Sequence, residues 1–82
     1  MIEKQEMQLL QGFERDSKWF YENVDNLRKQ NFTGKFVAID DEKPVASDKN
    51  IDIVIEAVEK EGKNPAYVFI EFVYPKGFTL LL

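Results

Sequence analysis

Residues 67–74 read Tyr67-Val68-Phe69-Ile70-Glu71-Phe72-Val73-Tyr74, and this stretch decides the fold. Val68, Ile70, Phe72 and Tyr74 alternate with Tyr67, Phe69, Glu71 and Val73, which is the period of two of a β-strand. A strand with one face in water alternates apolar with polar residues. Here both sets are apolar apart from Glu71, so the sheet is expected to be greasy on both sides. With Val68, Ile70 and Phe72 against the helices, Tyr67, Phe69 and Val73 point the other way, joined by Phe36, Ala38 and Leu81. Patches beyond a few hundred Å² are rarely left bare. Two covers are expected to compete: the N-terminal segment 2–14, with Met7, Leu9, Leu10 and Phe13, or a second copy of the chain.

Working outward, Pro75-Lys76-Gly77 predicts a tight turn, and Phe78-Thr79-Leu80-Leu81-Leu82 a returning strand. Upstream, Lys35-Phe36-Val37-Ala38-Ile39-Asp40 predicts a strand, Asp40-Asp41-Glu42-Lys43 a turn, and Pro44-Val45-Ala46-Ser47 the second arm of a hairpin. Pro44 has no N–H to donate, so that arm belongs at a sheet edge. Between the hairpins lies the clearest helix: Ser47, Asp48 and Asn50 offer N-caps, and Ile51, Val54, Ile55 and Val58 repeat at i, i+3, i+4, i+7. Gly62 stands at its left-handed end, with Pro65 beyond. Near the N-terminus, Leu9, Phe13, Phe20, Val24 and Leu27 share a helical stripe. Residues 2–30 are either one helix or two pieces broken between Gly12 and Asp16, the second capped by Asp16 or Ser17. The expected architecture is α+β: a four-stranded, mainly antiparallel sheet built from two β-hairpins, with two or three helices, in the order α-(α)-ββ-α-ββ. Residues 1–82 form one small domain, with 1–15 as an N-terminal helical extension.

Composition excludes whole classes of chemistry. The 82 residues contain no Cys and no His, so disulfides, Cys/His zinc sites, cysteine nucleophiles and Ser-His-Asp triads are out. The net charge is −4 and no basic block relieves it, which disfavours nucleic-acid binding and an antitoxin-like regulator. Arg28, Lys29 and Lys35 are the largest local group of cations. Acidic residues stand where a signal peptide needs positive charge, and the longest apolar run is far short of a membrane span, so a cytoplasmic home is expected.

Few residues combine into a site. Asp48-Lys49-Asn50-Ile51-Asp52 with Glu59 follows part of the calcium-loop spacing, but Ile53 occupies the position where that loop needs Gly. The same residues read more simply as a capped amphipathic helix. Asp40, Asp41 and Glu42 could hold Mg²⁺ or Ca²⁺ only loosely, because adjacent acids in a tight turn point apart. Glu71, the lone acid in the greasiest strand, is expected to face solvent or to pair with a Lys across strands. Trp19-Phe20-Tyr21 resembles a stacking platform, yet Phe20 belongs to the core stripe. No acid, base and nucleophile can be named together, no phosphate loop exists among Gly12, Gly34, Gly62 and Gly77, and no cofactor is implied.

The run Trp19–Leu27, then Gly34-Lys35-Phe36-Val37-Ala38-Ile39, Pro44-Val45-Ala46-Ser47, the helix with Gly62, and Val68 to Pro75 resembles a family of short, mostly archaeal proteins carrying a domain of unknown function. The likeness spans residues 17–76. Members commonly have an Asp-Gly turn in the first hairpin, where this chain has Asp41-Glu42, and a Gly after the second strand's Ser, where it has Asp48. The resemblance implies the α+β fold and brings no activity with it.

The function expected from these readings is a non-catalytic protein-interaction module or a homodimer-forming subunit. Its contact surface is Tyr67, Phe69, Val73, Tyr74, Phe78, Leu80 and Leu82, and its partner is a second copy or another protein. A metal- or small-ligand-binding accessory domain is the alternative.

Overall fold

A computed structural model describes the backbone of residues 4–77 and the side chains of residues 10–77. Helix α1 covers Lys4–Lys29, followed by strand β1 (Phe36–Asp40), strand β2 (Lys43–Asp48), helix α2 (Ile51–Lys60), a 3-10 turn at Pro65–Tyr67, and strand β3 (Phe69–Phe72). The sheet among the described residues has three strands in the order β2-β1-β3, with both pairings antiparallel. This corrects the expectation of a four-stranded sheet built from two hairpins. One part of the difference is local: Asn64 accepts the Ala66 N–H at 3.0 Å and Pro65 opens a helical turn, so Tyr67 is not part of the strand. The expected return strand, Phe78–Leu82, lies outside the described residues.

The first helix is a single piece. Gly12 sits inside it without a break, and a Cβ there would meet only Arg15 Nη2, at 3.8 Å. Past its end, Asn31 takes a left-handed φ of 70°, and Phe32 N–H reaches back to Leu27 O at 3.2 Å. That six-to-one bond satisfies a free helix carbonyl and turns Phe32 onto the core. Helix α2 is bounded as the sequence predicts. Asn50 accepts the Asp52 N–H, and Gly62, at φ 80°, lets Lys63 N–H bond Val58 O at 3.3 Å.

The two-faced strands are resolved by placing one helix on each side. Val37 and Ile39 of β1, with Phe69 and Val73, pack against Phe20 and Leu27 of α1. Ala38, the residue between, packs with Val68 against Val54 and Val58 of α2. Successive residues of a strand point to opposite faces, so the helices lie on opposite faces of the sheet. This corrects the expectation that both helices share one face. Of segment 2–14, the described residues 4–14 are the start of the helix that covers the second face. Val45 is left unpaired by an irregularity in the β1–β2 register, and Val45 and Ala46 both pack toward α2. A bulge of this kind explains why two consecutive residues share a face.

Asp16 is not a helix cap. It lies within α1, 3% exposed, and accepts two backbone N–H groups of the β1–β2 turn: Glu42 N at 2.8 Å through Oδ1 and Asp41 N at 3.2 Å through Oδ2. The turn needs this help. Asp41 and Glu42 both have positive φ, 53° and 59°, the signature of a two-residue primed hairpin turn. Asp tolerates that region, but Glu does not prefer it, and a non-glycine residue there costs roughly 1–2 kcal/mol. The buried carboxylate thus clamps α1 to a strained hairpin. Two substitutions separate the parts. Asp16→Ala, which orphans two N–H groups, is expected to lower stability by about 2–3 kcal/mol. Glu42→Gly, which removes the strain and only an exposed ion pair at 4.0 Å, is expected to raise it by about 1 kcal/mol. Chemical denaturation of the three chains checks both signs.

Candidate functional site

With both faces covered, the surface of the sheet left free by the described residues is its edges. β2 closes one side with Pro44 and a bulge, two ordinary devices against further pairing. β3 is the other edge. Val73 N–H donates to Lys35 O at 2.9 Å, so the residues bonded inward are Val73, Glu71 and Phe69, by the alternation of an antiparallel ladder. Ile70 and Phe72 therefore turn their N–H and C=O groups outward, and no further strand lies along them among the described residues.

Beside this edge runs a groove of about 310 Å³ between β3 and α1, bounded by Phe20, Tyr21 and Val24 on the helix, Phe72 on the strand and Tyr74 just beyond it. The groove is bordered on the strand side by Phe72, whose ring packs on the α2 face, 4.7 Å from Tyr74 and 5.0 Å from Phe36 between ring centres, in edge-to-face geometry. Two polar contacts frame it. Glu71 accepts the Phe72 N–H at 2.9 Å through Oε1 and the Tyr21 hydroxyl at 3.1 Å through Oε2. Arg28 Nε donates to Tyr74 O at 2.7 Å, and its Nη1 to Asp25 at 2.6 Å. The lone acid of the strand, expected to face solvent or to pair with a Lys across strands, is half-buried and covers one of the two outward N–H groups of the edge. Burial, then the nearby Glu71 charge, pushes the Tyr21 phenol above its ordinary value of 10.0.

The residues expected to form a contact surface divide. Phe69 and Val73 are 7% and 0% exposed, with the Phe69 ring 5.5 Å from Phe13 and 5.4 Å from Phe20, so they serve the α1 side of the core. Tyr74 lines the groove, half-buried. Tyr67 lines a separate cavity of about 400 Å³ with Asp40, Lys63 and Asn64. Phe78, Leu80 and Leu82 lie outside the described residues. Of the aromatic triplet, Phe20 is buried, Trp19 packs at the core's margin, and Tyr21 is 61% exposed on the groove.

The acidic turn is tied up by cations. Asp40 pairs with Lys63, while Asp41 and Glu42 reach Arg15 at 3.8 and 4.0 Å. No group of three or more acidic side chains converges on a common point among the described residues. Nor is any described helix long and apolar enough to cross a membrane.

The hydrogen bond to Asp40 outweighs desolvation and raises Lys63 above its ordinary 10.5. Tyr21 and Lys63 both hold their protons more tightly when folded. Their contribution is fully present below the unfolded values, near pH 10, and is lost as pH rises through the folded ones. Melting temperature should therefore fall above about pH 10, and Tyr21→Phe should flatten part of that fall. An ultraviolet titration should lose one phenol midpoint above 10.0 in the same variant.

No curated protein and no solved structure is similar enough to the chain to count as a match. A family model does match, over residues 29–76, from the last residue of α1 through both β1–β2 and β3 to the turn beyond. That segment contains every described strand, all of α2 and both Glu71 and Tyr74, and it is more than half of the 82 residues. The chain belongs to the family of unknown function DUF5678.

Proposed function

We propose that this chain is a non-catalytic protein-interaction module that takes up an extended segment of another protein along the outer edge of β3. The observation that carries the reading is the outward-facing backbone of Ile70 and Phe72 beside an aromatic groove. Main-chain hydrogen bonds to an open edge supply affinity in strand addition, and side-chain pockets supply selectivity. Aromatic surface flanks the edge on both faces, Tyr21 beside Glu71 on the α1 side and the Phe72 ring packed on Phe36 on the α2 side, so each alternate set of side chains of an added strand would meet a ring.

Glu71 favours a different protein over a second copy. If two β3 edges paired about a two-fold axis so that Ile70 met Phe72 of the copy, Glu71 would face Glu71. Like charges directly opposite each other destabilise a sheet. The same carboxylate covers the Phe72 N–H, so it also keeps the edge from pairing indiscriminately.

Removing that guard tests the reading without a known partner. Glu71→Thr frees the Phe72 N–H, removes the like charge and inserts a good strand former. Light scattering should show the parent as a single chain and the variant doubling in mass as concentration rises. A variant that folds and keeps the parent's mass throughout would contradict an edge available for pairing.

A further inference from the structure

Arg28 joins the groove to a second depression. A cleft of about 240 Å³ at the C-terminal end of β3 is lined by Asp25, Arg28, Lys29 and Lys76. Asp25 is already matched by Arg28 at 2.6 Å, and Arg28 also holds the Tyr74 carbonyl. Lys29 and Lys76 are exposed, and neither has an ion-pair partner among the described residues. Lys29 is at home in the last turn of α1, where the helix dipole favours a cation. Lys76 has no such reason: it belongs to the turn after β3, yet it lines the same cleft. In a chain of net charge −4, two ammonium groups without an ion-pair partner among the described residues thus line one concavity, at the end of a strand edge along which no further described strand lies.

This placement fits a partner of opposite charge. Resting on the strand-addition reading above, we propose that the segment taken up along β3 carries acidic side chains just beyond its strand portion, seated between Lys29 and Lys76. Glu71 adds the complementary restriction: an acid opposite the centre of β3 would meet like charge, so the acids belong at the end and not in the middle. A polyanion such as single-stranded nucleic acid is the competing occupant. It fits less well, because the acidic remainder of the surface would repel an extended chain of phosphates.

The test uses the full chain, isotope-labelled for amide NMR. The probes are two short synthetic peptides of alternating Val and Thr, one with Glu-Glu at both ends and one with Lys-Lys, together with oligothymidylate. The Glu-ended peptide should shift the Ile70 and Phe72 amides and bind about tenfold tighter than the Lys-ended one, the gain expected of two ammonium–carboxylate contacts near a surface. In the double variant Lys29→Glu, Lys76→Glu that preference should vanish or reverse while the same amides still move. Both residues are exposed, so the variant should fold. Equal affinity for the two peptides, with Ile70 and Phe72 moving, overturns the acidic anchor and leaves strand addition standing. If no peptide moves Ile70 or Phe72, both readings fall. Tighter binding of oligothymidylate than of the Glu-ended peptide, with shifts confined to the surroundings of Lys29 and Lys76, assigns the cleft to polyanions and overturns the proposal.

Discussion

Val37, Ala38 and Ile39 of the central strand have no exposed surface, although they point alternately to opposite sides. Three consecutive buried residues in a strand require cover on both faces, and this requirement organises the molecule. Each face takes one helix from the same chain: Phe20 and Leu27 seal one, Val54 and Val58 the other. Large side chains carry most of the transfer energy. Phe20 alone, touching Phe69 and Tyr21 and 2% exposed, accounts for about 3–5 kcal/mol on truncation to Ala by comparison with similar cores. A domain of this size has little more stability than that to lose.

Covering both faces decides where contact with other molecules can occur. A helix on one face only would leave an apolar plane to bind through, and Phe69 and Val73 would form it. Once α1 lies over them, the backbone groups that no described strand pairs with are those along the edge of β3. The chain treats its two edges differently. On β2 a proline and a bulge are fixed features of the backbone. On β3 the guard is a side chain, Glu71, whose hydrogen bond to Phe72 N–H an incoming strand can replace with its own carbonyl. That contrast is the ground for proposing β3 as the edge that takes up a partner.

Much of the architecture is written locally and was legible there. The caps Asn50 and Gly62, the apolar stripe of α2, the central strand and the edge position of Pro44 all follow from neighbours within a few residues. The excess of apolar residues on both faces was legible too, but not its resolution, because which side a helix takes depends on where the chain crosses the sheet. Asp16 shows the limit most clearly. As an Asp preceding an apolar stripe it reads as a cap, and only the folded chain brings the hairpin turn, 25 residues away, onto its carboxylate. The turn left one signal: Asp41-Glu42 stands where a primed turn prefers glycine, which implies compensation from elsewhere. At the candidate site, Glu71 was conspicuous as the one acid in a greasy strand, but its partners Tyr21 and Phe72 N–H were not, since a strand's outward direction is known only once its neighbours are. Arg28, Lys29 and Lys76 were equally hidden, being joined only where α1 and the turn after β3 meet.

Amide hydrogen exchange along β3 distinguishes backbone groups bonded to β1 from those that face outward. If helices close both faces and the outer edge of β3 lies open, Glu71 and Val73 amides exchange slowly, as members of the ladder to β1. Ile70, between them and Phe69, exchanges orders of magnitude faster, as an edge amide with only water for a partner. An Ile70 amide as protected as that of Glu71 would mean that the edge is already occupied within the molecule, and it would contradict the account.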